Sequence, residues 1–192
     1  MLDPSFFSYV TVMSITPGPN NLLLASSGVN YGLRRTLPMM LGIVVGCAVQ
    51  TLLIWRVLDE LLRWMESLRL PLTLVGGGYL LWLAWKLFRA GAPAACASGR
   101  PMTLTGAALF QLVNPKAWLM CSNVALLYAA HGVWSVIVGF SLVNFPCIFI
   151  WALMGDRLGR HLQVAWKRRA FNTVMALMLV ATTLWMMLSA LV

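Results

Sequence analysis

Apolar residues in this chain neither alternate nor follow a single helical stripe; they run in long stretches separated by short polar segments. The stretches fall at about 5–28, 36–58, 70–90, 103–128, 133–155 and 169–191. Each is long enough, at roughly 20 residues or more, to carry a helix across a hydrocarbon layer about 30 Å thick. The pattern predicts an all-α integral membrane protein with six transmembrane helices. Two stretches are interrupted. Thr16-Pro17-Gly18-Pro19-Asn20-Asn21 breaks the first, and Asn114-Pro115, followed directly by Lys116, breaks the fourth. A proline inside a helix removes a donor and clashes with the preceding turn, at about 3 kcal/mol in water. In lipid no water replaces the lost bond, so such a break must face other helices or a wet cavity.

The interruptions recur with a period. Pro17 and Pro115 are 98 residues apart, and the two intact stretches after each break are offset by about 97 and about 98. Broken, intact, intact therefore occurs twice. Because three spans is an odd number, the second set enters from the opposite side. The expectation is a single transmembrane transporter domain over 1–192, built as two inverted three-helix repeats at about 5–90 and about 103–191. Secondary transporters commonly place their solute site at the midplane of such a pair.

The residue types at the breaks suit the restart of a helix. Asn114 fits an N-cap and Pro115 the first helical position; Thr16 or Gly18 before Pro19 can serve in the same way. Asn20 and Asn21 add amide donors and acceptors. Each restarted helix would aim unpaired N–H groups and a positive dipole end into the bilayer centre. Lys116, second in its half-helix, is the wrong charge for that end unless an anion lies between them, and a carboxylate is the obvious one. The bland alternative is a lysine that snorkels to one interface. Thr16, Pro17, Gly18, Pro19, Asn20, Asn21, Asn114, Pro115 and Lys116 are thus the candidate substrate-binding residues. Gln50 and Asn144 could line the cavity, or simply hydrogen-bond between helices. Packing is the better account of Gly42/Gly46 and of Gly76-Gly77-Gly78.

Composition agrees with the membrane reading: 60% of residues are hydrophobic and 10% charged, against roughly 25% charged in soluble domains, and the mean hydropathy is +0.82. The net charge of +9 does not point to nucleic acid, because the basic residues sit in short loops beside apolar stretches. They report orientation instead. Arg34, Arg35, Lys86, Arg89, Arg100, Arg157, Arg160, Lys167, Arg168 and Arg169 lie on one side, against Arg56, Arg63 and Arg69 on the other. That bias puts both termini on the non-cytoplasmic side. The N-terminus has no basic leader region, so residues 1 to 30 are expected to stay as a span. Arg56 to Arg69 reads as a short amphipathic helix at the outer interface, and Trp82 and Trp85 as interfacial anchors beside Lys86 and Arg89.

The four cysteines, Cys47, Cys96, Cys121 and Cys147, show no metal spacing with His131 or His161, and no nucleophile–base set suggests an enzyme. No cofactor or metal is expected. Two other readings compete with a transporter. A membrane thiol–disulfide carrier would need a reactive cysteine in each half near the break, and residues 1 to 30 contain none. A non-transporting scaffold would use Gly42 and Gly46 as the face of a homo-oligomer.

Thr16-Pro17-Gly18-Pro19-Asn20-Asn21, then Gly32-Leu33-Arg34-Arg35 and a glycine-bearing second span, resembles the lysine exporter (LysE/RhtB) family. Gly78-Tyr79-Leu80-Leu81-Trp82-Leu83-Ala84-Trp85-Lys86 and Gln111-Leu112-Val113-Asn114-Pro115-Lys116 carry the resemblance through the third and fourth spans. It implies a bacterial inner-membrane exporter of amino acids or close derivatives, driven by the proton motive force, with protons and lipid as its other partners. The acids narrow the cargo. Asp3, Asp59, Glu60, Glu66 and Asp156 all fall at ends or in the expected loops, so a cationic side chain at depth would lack a counter-charge. A neutral or weakly polar amino acid is expected, with Lys116 as the only candidate for proton coupling.

Overall fold

The computed structural model describes residues 2–56, 58–89, 100–162 and 164–191; for 58–70, 72–73, 129, 186 and 189–191 it describes the backbone alone. The described residues form eight α-helices, one 3-10 turn at Ala129–His131 and no strand. In order the helices are α1 (Pro4–Ile15), α2 (Pro19–Tyr31), α3 (Leu33–Arg56), α4 (Leu58–Arg89), α5 (Leu104–Gln111), α6 (Pro115–Leu127), α7 (Val133–His161) and α8 (Ala165–Leu191). Two short helices followed by two long ones occur twice. Both interruptions fall where proline placed them, between α1 and α2 and between α5 and α6. Among the described residues, α3 and α7 are each long and apolar enough to cross a membrane.

Local chemistry sets the helix ends. Asp3 caps α1 by accepting from Phe6 N–H at 3.0 Å, with Pro4 in the first turn. The Ser5 hydroxyl, 2.6 Å away, and then that N–H hold the Asp3 carboxyl below its usual range. Gly32 ends α2 with a φ of 80°, a left-handed backbone that only glycine adopts without steric cost. One residue thus replaces the polar loop expected from Asn30 to Arg35. The loop expected from Asp156 to Arg168 also shrinks, because α7 continues to His161. Asp156 therefore lies within a helix and not in a loop. Its carboxylate accepts the Leu33 N–H at 3.0 Å and so caps the start of α3, where the positive end of the helix favours an anion. The backbone of 58–70 is helical, as an amphipathic segment requires. It is continuous with the third span instead of forming a separate helix, and its side chains lie outside the described residues.

The halves pack reciprocally. α1 and α2 lie against α7, α5 and α6 lie against α3, and α4 pairs with α8. The close contacts give the directions. Gly139 meets Phe6, Gly155 meets Ala25 and Gly159 meets Val29, so the broken rod α1–α2 runs parallel to α7. Gly42 meets Leu104 and Gly46 meets Ala108, so α3 runs parallel to α5. A Cβ at Gly42 or Gly155 would collide with a backbone carbonyl of the neighbouring helix. In lipid, where apolar surface alone does not drive association, backbones brought this close supply much of the packing energy. Gly42 and Gly46 are thereby used inside the chain, which removes the oligomer face that a scaffold reading required. Gly76 similarly lets α4 rest on the Val113 carbonyl at the α5–α6 break, while nothing lies close to Gly78.

Candidate functional site

The two interruptions, far apart in sequence, meet inside the molecule. Proline at the first position of α2 and of α6 restarts each helix. Asn114 caps α6, its side chain accepting from the Lys116 N–H at 3.2 Å. Gly18 rather than Thr16 caps α2, and it offers no side-chain bond. Thr16 serves α1 instead: its hydroxyl donates back to the Val12 carbonyl, leaving only its backbone oxygen toward the site.

The carbonyls of residues 14 to 17, at the end of α1, are taken up. Asn21 Nδ2 donates to the Ser14 and Thr16 carbonyls at 2.8 and 2.9 Å. Trp151 Nε1 of α7 donates to Ile15 at 3.0 Å. Lys116 Nζ reaches over from α6 to Thr16 at 2.8 Å and Pro17 at 3.4 Å. Sequence reasoning put this ammonium beside its own helix N-terminus, awaiting an anion. In the structure it caps the negative end of another half-helix, a more favourable place for a cation. The Lys116 stem lies over Gly18: a Cβ there would sit 2.8 Å from its Cδ and 3.1 Å from its Nζ.

A half-buried amide triad joins the breaks. Asn20 Nδ2 donates to Gln111 Oε1 at 2.9 Å, and Gln111 Nε2 donates back to Asn20 Oδ1 at 3.2 Å. Asn114 Nδ2 donates to Asn20 Oδ1 at 3.2 Å. Gln111 is fully buried and is the site residue that sequence reasoning missed. Its signal was a glutamine one turn before a helix break in an apolar stretch, the same kind of signal that drew attention to Gln50.

Asn144 joins this group. It lines a small cleft with Ser14, Gly18, Asn20, Asn21 and Lys116, and the cleft encloses about 20 Å³, room for roughly one water. Asn144 is 2% exposed and its Nδ2 has no partner. Gln50 is equally buried, lines neither this cleft nor the larger cavity below, and has both amide atoms unpartnered. An interhelical bond does not account for Gln50 in this conformation.

One turn of α2 beyond Asn20, at Leu23, a cavity of about 670 Å³ begins. Ser26, Ser27 and Asn30 of α2 line it, with Tyr79, Trp82 and Lys86 of α4 opposite and Arg89 and Arg100 also on its wall. Lys86 lies over Trp82 at 4.5 Å and Arg89 over Trp85 at 4.6 Å, so both expected anchors carry a cation on their faces. At the other end of the broken rod, α1 and α6 close on each other. The Ser5 and Tyr128 hydroxyls are 2.9 Å apart, and Asn123 Nδ2 donates to Tyr9 Oη at 3.0 Å. Phe6 stacks edge-on against Tyr128 at 4.9 Å.

The model of the LysE type translocator family matches residues 11–189. The chain belongs to that family. Among similar proteins, the cysteine/O-acetylserine efflux protein of Klebsiella pneumoniae is 30% identical over 165 residues, covering 83% of this chain and 84% of its own length. Its counterpart in Salmonella typhimurium is 31% identical over 191 residues, 94% of each chain. That of Escherichia coli O9:H4 is 28% identical over 182 residues, 92% of each. No solved structure matches. Membership makes the LysE type chain a translocator and not an enzyme, and its bacterial relatives make it a multi-pass inner-membrane protein.

Cys47 and Cys121, one from each half, lie together: the Cys121 thiol donates to the Cys47 carbonyl at 3.6 Å, and both are fully buried. Family membership leaves the thiol–disulfide carrier without support in this translocator. Among the described residues no set of His, Cys, Asp or Glu could hold a metal.

Proposed function

We propose that this protein is a secondary exporter of neutral or weakly polar amino acids, moving them out of the cytoplasm on the proton motive force. The observation that carries the reading is the joining of the two helix breaks beside one small polar cleft, by Lys116, Asn20, Gln111 and Asn114. Polar backbone ends and an ammonium at this depth are costly unless a polar solute passes there. Among the described residues no carboxylate lines the cleft, so a zwitterion with an uncharged side chain suits it better than a cationic one. Cysteine and O-acetylserine, which the relatives' names carry, are both of this kind.

The reciprocal packing of α1–α2 on α7 and of α5–α6 on α3, parallel in both cases, supports two inverted three-helix repeats within one transporter domain. With both termini on the non-cytoplasmic side, the large cavity faces the cytoplasm and the α1–α6 contact closes the outer end. Export then requires the cleft to widen, since even the smallest amino acid exceeds its present volume. Lys116, the one ionisable side chain lining the cleft, is the candidate proton carrier.

Purified protein in liposomes loaded with labelled cysteine or O-acetylserine tests this. Release should exceed that from protein-free vesicles, rise with a proton gradient directed against it, and fall at least tenfold in Lys116→Ala. Release at the protein-free rate, or a preference for lysine over both neutral compounds, overturns the reading.

A further inference from the structure

Lys116 does something a substrate could also do. Its primary ammonium sits on the Thr16 and Pro17 carbonyls, at 2.8 and 3.4 Å, at the negative end of the α1 half-helix. The amino group of an amino acid is the same chemical group. It carries the same charge, has three donors, and needs acceptors that lipid cannot supply. Beside this pair the cleft offers a donor with nothing to bind, Asn144 Nδ2, on a side chain 2% exposed. The N-termini of α2 and α6 border the same cleft and favour an anion. Acceptors for an ammonium, reached by the Lys116 that lines the cleft, thus neighbour donors for a carboxylate within it.

We propose that the Thr16–Pro17 carbonyl pair is the subsite for the substrate's α-ammonium, and that Lys116 fills it while the transporter is empty and closed. The ligand class is a primary ammonium with an adjacent carboxylate. An arriving substrate places its ammonium on the two carbonyls and displaces Lys116. The freed lysine then turns to the substrate's carboxylate, together with Asn144 Nδ2. One exchange of partners releases the contact between α6 and α1, so binding is coupled to separation of the halves. Gly18 has a role in this scheme, because the Lys116 stem lies across it and a side chain there would press on that stem. This deepens the exporter reading and rests on it for the substrate, but the subsite can be tested alone.

The test measures binding to detergent-solubilised protein by calorimetry, with three probes: L-cysteine, cysteamine (no carboxylate) and N-acetyl-L-cysteine (no ammonium). Wild type should bind L-cysteine at least tenfold more tightly than either analogue. Lys116→Met empties the carbonyls, so cysteamine should bind it at least fivefold more tightly than it binds wild type, while L-cysteine binds more weakly. Gly18→Ala displaces the lysine stem without removing the charge, and its extended backbone (φ 179°) accepts alanine without strain. It should also gain affinity for cysteamine, and it keeps the test decisive if Lys116→Met does not fold. Cysteamine affinity unchanged or reduced in the folded variant overturns the subsite and leaves Lys116 as a clamp between halves. Absence of L-cysteine binding to wild type, with the cysteamine gain intact, instead counts against the exporter reading and leaves the subsite standing.

Discussion

At the scale of single residues, the unpartnered polar groups separate folding from function. A buried amide without a hydrogen bond costs about 1–3 kcal/mol, and replacing it with an apolar group of similar shape is close to neutral. Asn144 Nδ2 lacks a partner, as do both amide atoms of Gln50. Asn144→Leu should therefore leave the melting temperature of the purified protein unchanged or slightly higher, yet reduce cysteine release from liposomes at least tenfold. A substrate that never touched Asn144 would leave both quantities as they are. A purely structural Asn144 would lower stability and transport together. Lys116 differs, because its ammonium is bound to the Thr16 and Pro17 carbonyls. The sequence marked it as exceptional from its depth alone. Its partners lie 99 and 100 residues away, and nothing local to Asn114-Pro115-Lys116 could name them.

At the scale of elements, the breaks were legible because proline acts on its own neighbours: Pro19 and Pro115 stand at the first turns of α2 and α6, where local sterics place them. The helix ends were less legible where a distant residue decides them. Asp156 was read as part of a loop because charges follow it closely, whereas α7 carries it to the N-terminus of α3 and on to His161. Gln111 escaped notice because its partners, Asn20 and Asn114, belong to two different interruptions. The Asp156 cap has a measurable consequence. Asp156→Ala should cost about 1 kcal/mol, the usual worth of a helix N-cap, with little added by the loss of its 3.5 Å pair with the largely exposed Arg160. Asp156→Asn keeps an acceptor for Leu33 N–H and should restore most of that stability. Denaturant titration in detergent measures both, and an alanine variant as stable as wild type would show that the cap contributes nothing.

At the scale of the whole molecule, the two ends of the broken rod α1–α2 differ. Beside α2 the cavity of about 670 Å³ reaches inward to Leu23. Beside α1, hydrogen bonds to Tyr128 and from Asn123 hold α1 against α6, with Phe6 and Val124 fully buried. On the proposed orientation this conformation admits solute from the cytoplasm and denies it exit. Single cysteines introduced into a Cys96→Ser background, with Cys47, Cys121 and Cys147 buried, make the asymmetry observable through a membrane-impermeant maleimide. Tyr79→Cys, on the wall of the large cavity, should react only from the cytoplasmic face. Ser5→Cys, exposed near the start of α1, should react only from the opposite face. Val124→Cys, behind the α1–α6 contact, should stay unreactive until transport is started by adding cysteine on the cytoplasmic side. Labelling of Tyr79→Cys from the outer face and of Ser5→Cys from the cytoplasmic face would refute the orientation and, with it, the direction of transport. Labelling of Val124→Cys at rest would instead refute the outer seal while leaving the orientation intact. The two properties fail separately because orientation follows from the loop charges, whereas the seal depends on five side chains, Ser5, Phe6, Tyr9, Asn123 and Tyr128, packed at one end of the bundle.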